Sequence, residues 1–238
     1  MRMLRKLLFM IFMATYLVNG QSIGKNTTHK MKLNSDDAND TRTFSVVGGI
    51  GIHLVYAPEL VSFFTYLSTT GKINGSVNPA FDFFGAASYR LLPMWSIKLE
   101  YSYLFTSVNI SNSDYENYEN SYSVHIPTIL IQRYLGDKDS PFRVGAGFGY
   151  RHSSLNYKLV GGFGQNYYSK GIGVKAEAEL HTPFGDGLFG YITGDVGLNF
   201  MSNYKDKKGN YLIFGQSQKK VNMNFYSIGL KFGLIYYI

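Results

Sequence analysis

No cysteine occurs among the 238 residues, which excludes disulfides, thiolate zinc sites, iron–sulfur ligation, a thiol nucleophile and a lipidated N-terminal cysteine. Charge is scarce as well. Asp, Glu, Lys and Arg together make up 16% of the chain, and aromatic residues make up as much again, with 20 Tyr and 18 Phe against a single Trp. That balance fits neither a disordered chain nor an ordinary helical cytosolic enzyme. The apolar stretch near the N-terminus, Leu7 to Val18, is too short to span a bilayer. The mean hydropathy of −0.10 reads as soluble, but a chain that alternates apolar with polar residues averages to the same value, so the pattern has to decide.

The opening Met1-Arg2-Met3-Leu4-Arg5-Lys6 is basic, the stretch after it is apolar, and Val18 and Gly20 supply small residues at the −3 and −1 positions of a cleavage site before Gln21. This is the layout of a secretory signal over residues 1–20. Three cations lie within it, so cleavage lowers the net charge from +7 to +4. With the chain exported and its basicity largely in the signal, a nucleic-acid partner is not expected. Residues 21–42 are polar, aperiodic and free of aromatics, and read as a flexible periplasmic leader.

From Thr43 onward one pattern repeats eight times: a stretch of alternating period-two residues, then a turn or loop. The third is the cleanest, with Trp95, Ile97, Leu99, Tyr101, Tyr103 and Phe105 against Ser96, Lys98, Glu100, Ser102 and Thr106. In the fourth, Tyr122, Val124, Ile126 and Leu130 are read as the apolar face, against Ser123, His125 and Arg133. Residues 92–94, 136–141 and 183–187 read as tight turns; 57–79, 107–121, 152–170 and 203–221 read as long loops. The expectation is an all-β fold, an eight-stranded antiparallel up-and-down barrel over residues 43–238 with two unlike rims.

Volume decides which face points outward. Roughly six large side chains on each of eight strands cannot fit in an eight-stranded barrel, whose interior is about wide enough for packed side chains or one small ligand. The opposite face, rich in Gly and Ser with one or two charges per strand, suits a narrow lumen. The apolar face must therefore look outward, toward lipid rather than water. Tyr56, Trp95, Tyr103, Phe105, Tyr122, Tyr134, Tyr150, Phe200, Tyr226 and Tyr236 crowd the strand ends, where aromatic girdles are expected.

With these features in place, residues 43–238 resemble the small outer-membrane β-barrels of Gram-negative bacteria of the OmpA-transmembrane, OmpX and OmpW type, including forms common in Bacteroidota. The final segment resembles the C-terminal pattern read by the barrel-assembly machinery, with Lys231, Gly233, Tyr236 and Ile238 in its four places and Ile238 standing where Phe is usual. The resemblance implies long extracellular loops, short periplasmic turns, an outer-membrane location, contact with outer-membrane lipid and lipopolysaccharide, and periplasmic chaperones during biogenesis. It implies no cofactor and leaves the oligomeric state open.

Within the lumen, the face assignment gathers Asp82, Arg90, Lys98, Glu100, Arg133, Arg143, Lys175, Glu177, Glu179, Asp195 and Lys231. The 183–187 turn would set Lys175 opposite Asp195. The 92–94 turn would bring Arg90, Lys98 and Glu100 within one diagonal, and Arg133 and Arg143 would neighbour Glu177 and Glu179. Charges in a narrow lumen must pair or stay hydrated. A plugging network is the first reading and a narrow OmpW-like solute path the alternative. His53, His125 and His181 are also placed in the lumen, too scattered for a metal site.

His152 and Ser154 share the outward parity, an arrangement that resembles PagL-type lipid A deacylases, in which His activates a Ser nucleophile. No Asp or Glu occurs between His152 and Ala176 to orient the His, so a non-enzymatic protein with a structural or surface-interaction role is expected. The Tyr- and Asn-rich loops (Asn109, Asn112, Tyr115, Tyr118, Tyr122) are the expected contact surface. Leu60, Phe63, Phe64 and Leu67 fall at helical spacing in the first long loop. They predict a short amphipathic helix resting on the barrel mouth or in the outer leaflet, either a plug packed inward or a surface for a ligand or partner.

Overall fold

A computed structural model describes residues 43–67, 78–112, 116–135, 142–159, 164–185 and 187–238; the expected signal 1–20 and leader 21–42 lie outside the described residues. Period-two alternation becomes strand wherever it was read. The elements are β1 (Phe44–Tyr56), α1 (Pro58–Leu67), β2 (Asn78–Leu92), β3 (Trp95–Asn112), β4 (Glu116–Tyr134), β5 (Phe142–Leu159), β6 (Gln165–Pro183), β7 (Leu188–Met201), β8 (Ile213–Phe214), β9 (Lys219–Lys220) and β10 (Phe225–Tyr237). β1 to β7 and β10 form a closed antiparallel barrel, in which β10 returns to pair with both β7 and β1; β8 and β9 make a separate small hairpin. The seam runs in register from Ser45 opposite Tyr237 to Tyr56 opposite Tyr226. The amide of Ile238 donates to the Phe44 carbonyl at 2.9 Å. Closure removes every exposed ladder edge from the barrel wall.

The outer wall is apolar. Phe148 and Ile172 are 69% and 67% exposed, and Ile50, Phe83, Leu99, Ile131, Phe200 and Phe232 are likewise bare. From Trp95 to Phe105 the outward side chains of β3 cover ten residues, a rise of about 25 Å for a strand tilted about 40°. Water cannot be the medium that such a wall meets.

Three expectations are corrected. First, β4 has the opposite parity: Tyr122, Val124, Ile126, Leu130 and Tyr134 are buried inside, while Ile129, Ile131 and Arg133 face outward. Both faces of this strand carry apolar residues, because its inner face packs an apolar plug above and Thr128 and Gln132 below. Tyr122 and Tyr134 therefore do not belong to the girdles. Second, residues 107–121 and 152–170 are strand over most of their length, rising as tall hairpins. Their alternation fades because both faces leave the apolar medium. Third, Asp195 stands opposite Glu177, and Lys175 stands opposite Gly197.

Candidate functional site

The interior is filled in three levels. At the bottom, Arg143 reaches the Tyr237 hydroxyl and lies over the Tyr134 ring, 4.3 Å from its centroid. Arg90 sits over the same ring at 4.6 Å. His181 joins this level through its Nδ1, 2.6 Å from the Tyr237 hydroxyl, and Phe84 packs on Tyr191 at 5.6 Å.

The middle level is charged. Three lysines from three strands converge on Glu100: Lys98 at 3.0 Å, Lys175 at 2.6 Å and Lys231 at 2.8 Å. Lys98 also pairs with Glu177 at 2.9 Å and with Glu179, and it donates to the Tyr191 hydroxyl at 2.9 Å, which in turn donates to Glu179 at 2.8 Å. Lys175 reaches Glu177 at 2.8 Å and, diagonally, Asp195 at 3.5 Å. Lys231 adds Asp82 at 3.1 Å and Asp195 at 3.4 Å. His53 lies between Asp82, at 3.1 Å, and Asp195, at 3.7 Å. Arg151 donates to Asn199 at 2.6 Å and Thr128 at 3.1 Å. Every member is buried, and pairing is what makes so much desolvated charge tolerable. The lumen glycines provide the space. A methyl group on Gly229 would lie 2.3 Å from the His53 ring, and one on Gly173 would lie 2.3 Å from Asn199 and 2.8 Å from Arg151. A cavity of about 20 Å³ lies among His53, Glu100, Arg151, Lys175, Asp195 and Lys231, room for about one water.

Above this, the lumen turns apolar. α1 forms where the helical spacing predicted it and turns Leu60, Phe63 and Phe64 inward, each at most 3% exposed; Leu67 is partly buried against the same cluster. They pack on Val55, Leu104, Tyr122, Val124, Leu155 and Phe225 of the wall and on Tyr204, Leu212, Val221 and Met223 of the last connection. Burial pushes the Tyr204 hydroxyl well above its ordinary range, and its partner is the Ser153 hydroxyl at 2.7 Å. Lys219 and Glu59 tie the last connection to α1 at 3.0 Å. A recess of about 330 Å³ opens over the plug between Phe63, Tyr66, Tyr157, Tyr167 and Phe214.

The structure thus gathers eight of the eleven residues assigned to the lumen network: Asp82, Lys98, Glu100, Lys175, Glu177, Glu179, Asp195 and Lys231. Arg143 is inside the barrel but lies below them, on Tyr134 and Tyr237. Arg90 lies at the rim on Tyr134. Arg133 is outside the barrel, 5.6 Å from the Trp95 ring centroid. Sequence reasoning left His53, Arg151 and Tyr191 out of the network; their even spacing from Gly51, Arg143 and Thr193 was the available signal. Of the C-terminal pattern, Lys231 is engaged inside, Gly233 pairs with Gly49 across the seam, and Tyr236 and Ile238 point outward. Tyr115 and the side chains of Asn109, Asn112 and Tyr118 lie outside the described residues.

His125 is outside the barrel, not in the lumen. It stands directly opposite His152 on β5, and Lys170 stands opposite His152 on β6. Ser154 bonds Ser123 at 3.0 Å. His152 therefore has a histidine and a lysine beside it where a hydrolase would need a carboxylate. Among the described residues no cluster of three His, Asp or Glu is arranged to hold a metal ion, and no helix is long and apolar enough to cross a membrane.

No family model matches the chain, and no curated protein matches it. Among solved structures, it is similar to Ail, the attachment invasion locus protein of Yersinia pestis, in complex with the heparin analogue sucrose octasulfate (9% identity over 82% of this chain and 97% of that one, TM-score 0.49). It is also similar to Neisserial surface protein A (13% identity, 82% and 97% covered, TM-score 0.39) and to the outer membrane protein OprG of Pseudomonas aeruginosa (13% identity, 82% and 96% covered, TM-score 0.40). At such identities and scores, nothing about activity passes from them to this chain.

Proposed function

We propose that this chain is a non-enzymatic, integral outer-membrane protein that holds a sealed barrel in the bilayer and works at its extracellular mouth rather than through its lumen. The bare apolar wall, about 25 Å tall between Trp95 and Phe105, matches the lipid-facing band of such barrels. The observation that carries the sealed reading is the filling of the lumen by buried, paired charges across its middle and by a buried apolar cluster above them. Below the plug, one cavity of about 20 Å³ lies amid paired charges, and α1 with the last connection closes the top. A solute path would need a hydrated column that these side chains occupy.

The partners follow from position. Outer-membrane lipid meets the wall, and lipopolysaccharide meets its upper edge. The barrel-assembly machinery and periplasmic chaperones handle the chain through segments such as Gly233 to Ile238. The aromatic recess beside Tyr66, Tyr157 and Tyr167 offers a surface for a partner outside the cell. Planar-bilayer recording tests the sealed state. Purified protein should insert without unitary conductance; discrete openings in the unmodified protein would overturn the reading and favour the narrow conduit. Lipid A profiles from cells with intact protein and with His152→Ala should be identical; a difference would restore the hydrolase.

A further inference from the structure

Two imidazoles on the outer wall have no role in the sealed barrel. His125 and His152 are cross-strand partners on β4 and β5, with ring centroids 5.9 Å apart. They stand where the apolar wall gives way to Ser123 and Ser154, level with the upper aromatics. Among the described residues no carboxylate contacts either ring. From these positions we infer that His125 and His152 form a two-histidine site for a divalent transition metal of borderline softness, such as Cu²⁺ or Zn²⁺.

The geometry fits. A metal about 2.1 Å from one nitrogen of each ring lies about 3.2 Å from each centroid, which places the centroids roughly 5 to 6.5 Å apart for angles from tetrahedral to linear. His125 also has the outer partner that metal-bound histidines use. Its Nδ1 lies 2.6 Å from the Tyr101 hydroxyl. If Nδ1 carries the proton and donates to that oxygen, the Nε2 lone pair is free for the metal. The Tyr168 ring stacks on His152, with centroids 6.1 Å apart and planes 14° from parallel, and Tyr103 flanks His125 at 5.0 Å. Each imidazole thus has a tyrosine ring packed beside it. Imidazole pairs suit copper, zinc and nickel, and water completes the coordination. Lys170, the other neighbour of His152, is exposed, so its charge is screened by solvent and weakens the site without blocking it. Tyr101 acts here as a positioning residue.

The test uses the full chain in detergent micelles with His29→Ala, which leaves His125 and His152 as the accessible imidazoles, since His53 and His181 are buried. Titration with Cu²⁺, read by calorimetry and electron paramagnetic resonance, should show one equivalent bound with two-nitrogen hyperfine structure. His125→Ala and His152→Ala should each weaken binding by more than about tenfold and remove one nitrogen. Tyr101→Phe should weaken it by about tenfold or more while keeping both nitrogens. Heat-modifiable gel migration confirms that each variant remains folded, and His152→Gln substitutes if the alanine variant does not. No binding at submillimolar Cu²⁺, binding unchanged in the double variant, or loss in only one of the two single variants would overturn the site.

Discussion

In the middle of the barrel, Glu100 is surrounded by Lys98, Lys175 and Lys231, whereas toward the mouth the same wall presents Leu104, Val124 and Leu155 to the rings of Phe63 and Phe64. Both regions exclude water, by opposite means. The charged level belongs to the strands themselves, and most of its contacts link distant parts of the wall. The apolar plug comes from connections, α1 and the segment after β7; the latter is held to β6 by a short backbone pairing of Lys205 with Tyr168, and it can part from the wall without unpairing the barrel strands from one another. Closure by charge should therefore be tied to the folding of the whole barrel, and closure by packing should be a local event.

Glu100→Ala should produce the largest effect, because it removes the carboxylate shared by three buried ammonium groups and leaves each with fewer partners. Urea unfolding in lipid vesicles, followed by Trp95 fluorescence, is expected to register a loss of about 3–5 kcal/mol. A loss below about 1 kcal/mol would show that the network relaxes piecemeal and would erase the contrast. Next comes Gly229→Ala, whose new methyl group collides with the His53 ring. Overpacking there should cost about 1–3 kcal/mol in the same assay. Phe64→Ala removes a plug ring that would be worth about 3–5 kcal/mol in a cooperative core. Here most of that loss should appear as faster proteolysis within residues 203–221, with a smaller shift of the urea midpoint; a full global loss would mean that the plug folds with the barrel. Lys219→Ala breaks the half-exposed tie to Glu59 and should change stability by less than about 1 kcal/mol.

The wall was readable in the residues because lipid and lumen impose opposite demands on alternate positions. Seven of the eight strands follow the parity read from Phe44, Phe81, Trp95, Phe142, Ile172, Leu188 and Tyr226. β4 does not, and its failure is informative. A lumen assumed to be polar throughout assigned Val124, Ile126 and Leu130 to the lipid side. An apolar plug needs greasy inward residues in the upper half of every strand that it touches. Val55, Leu104, Leu155 and Phe225 carry the same signature at inward positions, so the plug was written in the sequence beside the helical spacing of Leu60, Phe63 and Phe64. The exact charge partners were less legible. A shift of two residues between β6 and β7 exchanges Lys175 for Glu177 as the residue facing Asp195, and register depends on a turn whose geometry the residues alone do not specify.

The strands are unequal in height: β3 to β6 run 18 or 19 residues, while β1, β7 and β10 run 13 or 14. The chimney therefore has a parapet along one arc and a low sill along the other. With that rim outside the cell, as proposed above, an antibody or a neighbouring cell surface, too bulky to lean inward, would touch the parapet first, so changes of sequence there should alter recognition by large bodies while leaving the sheltered aromatic niche to small ones.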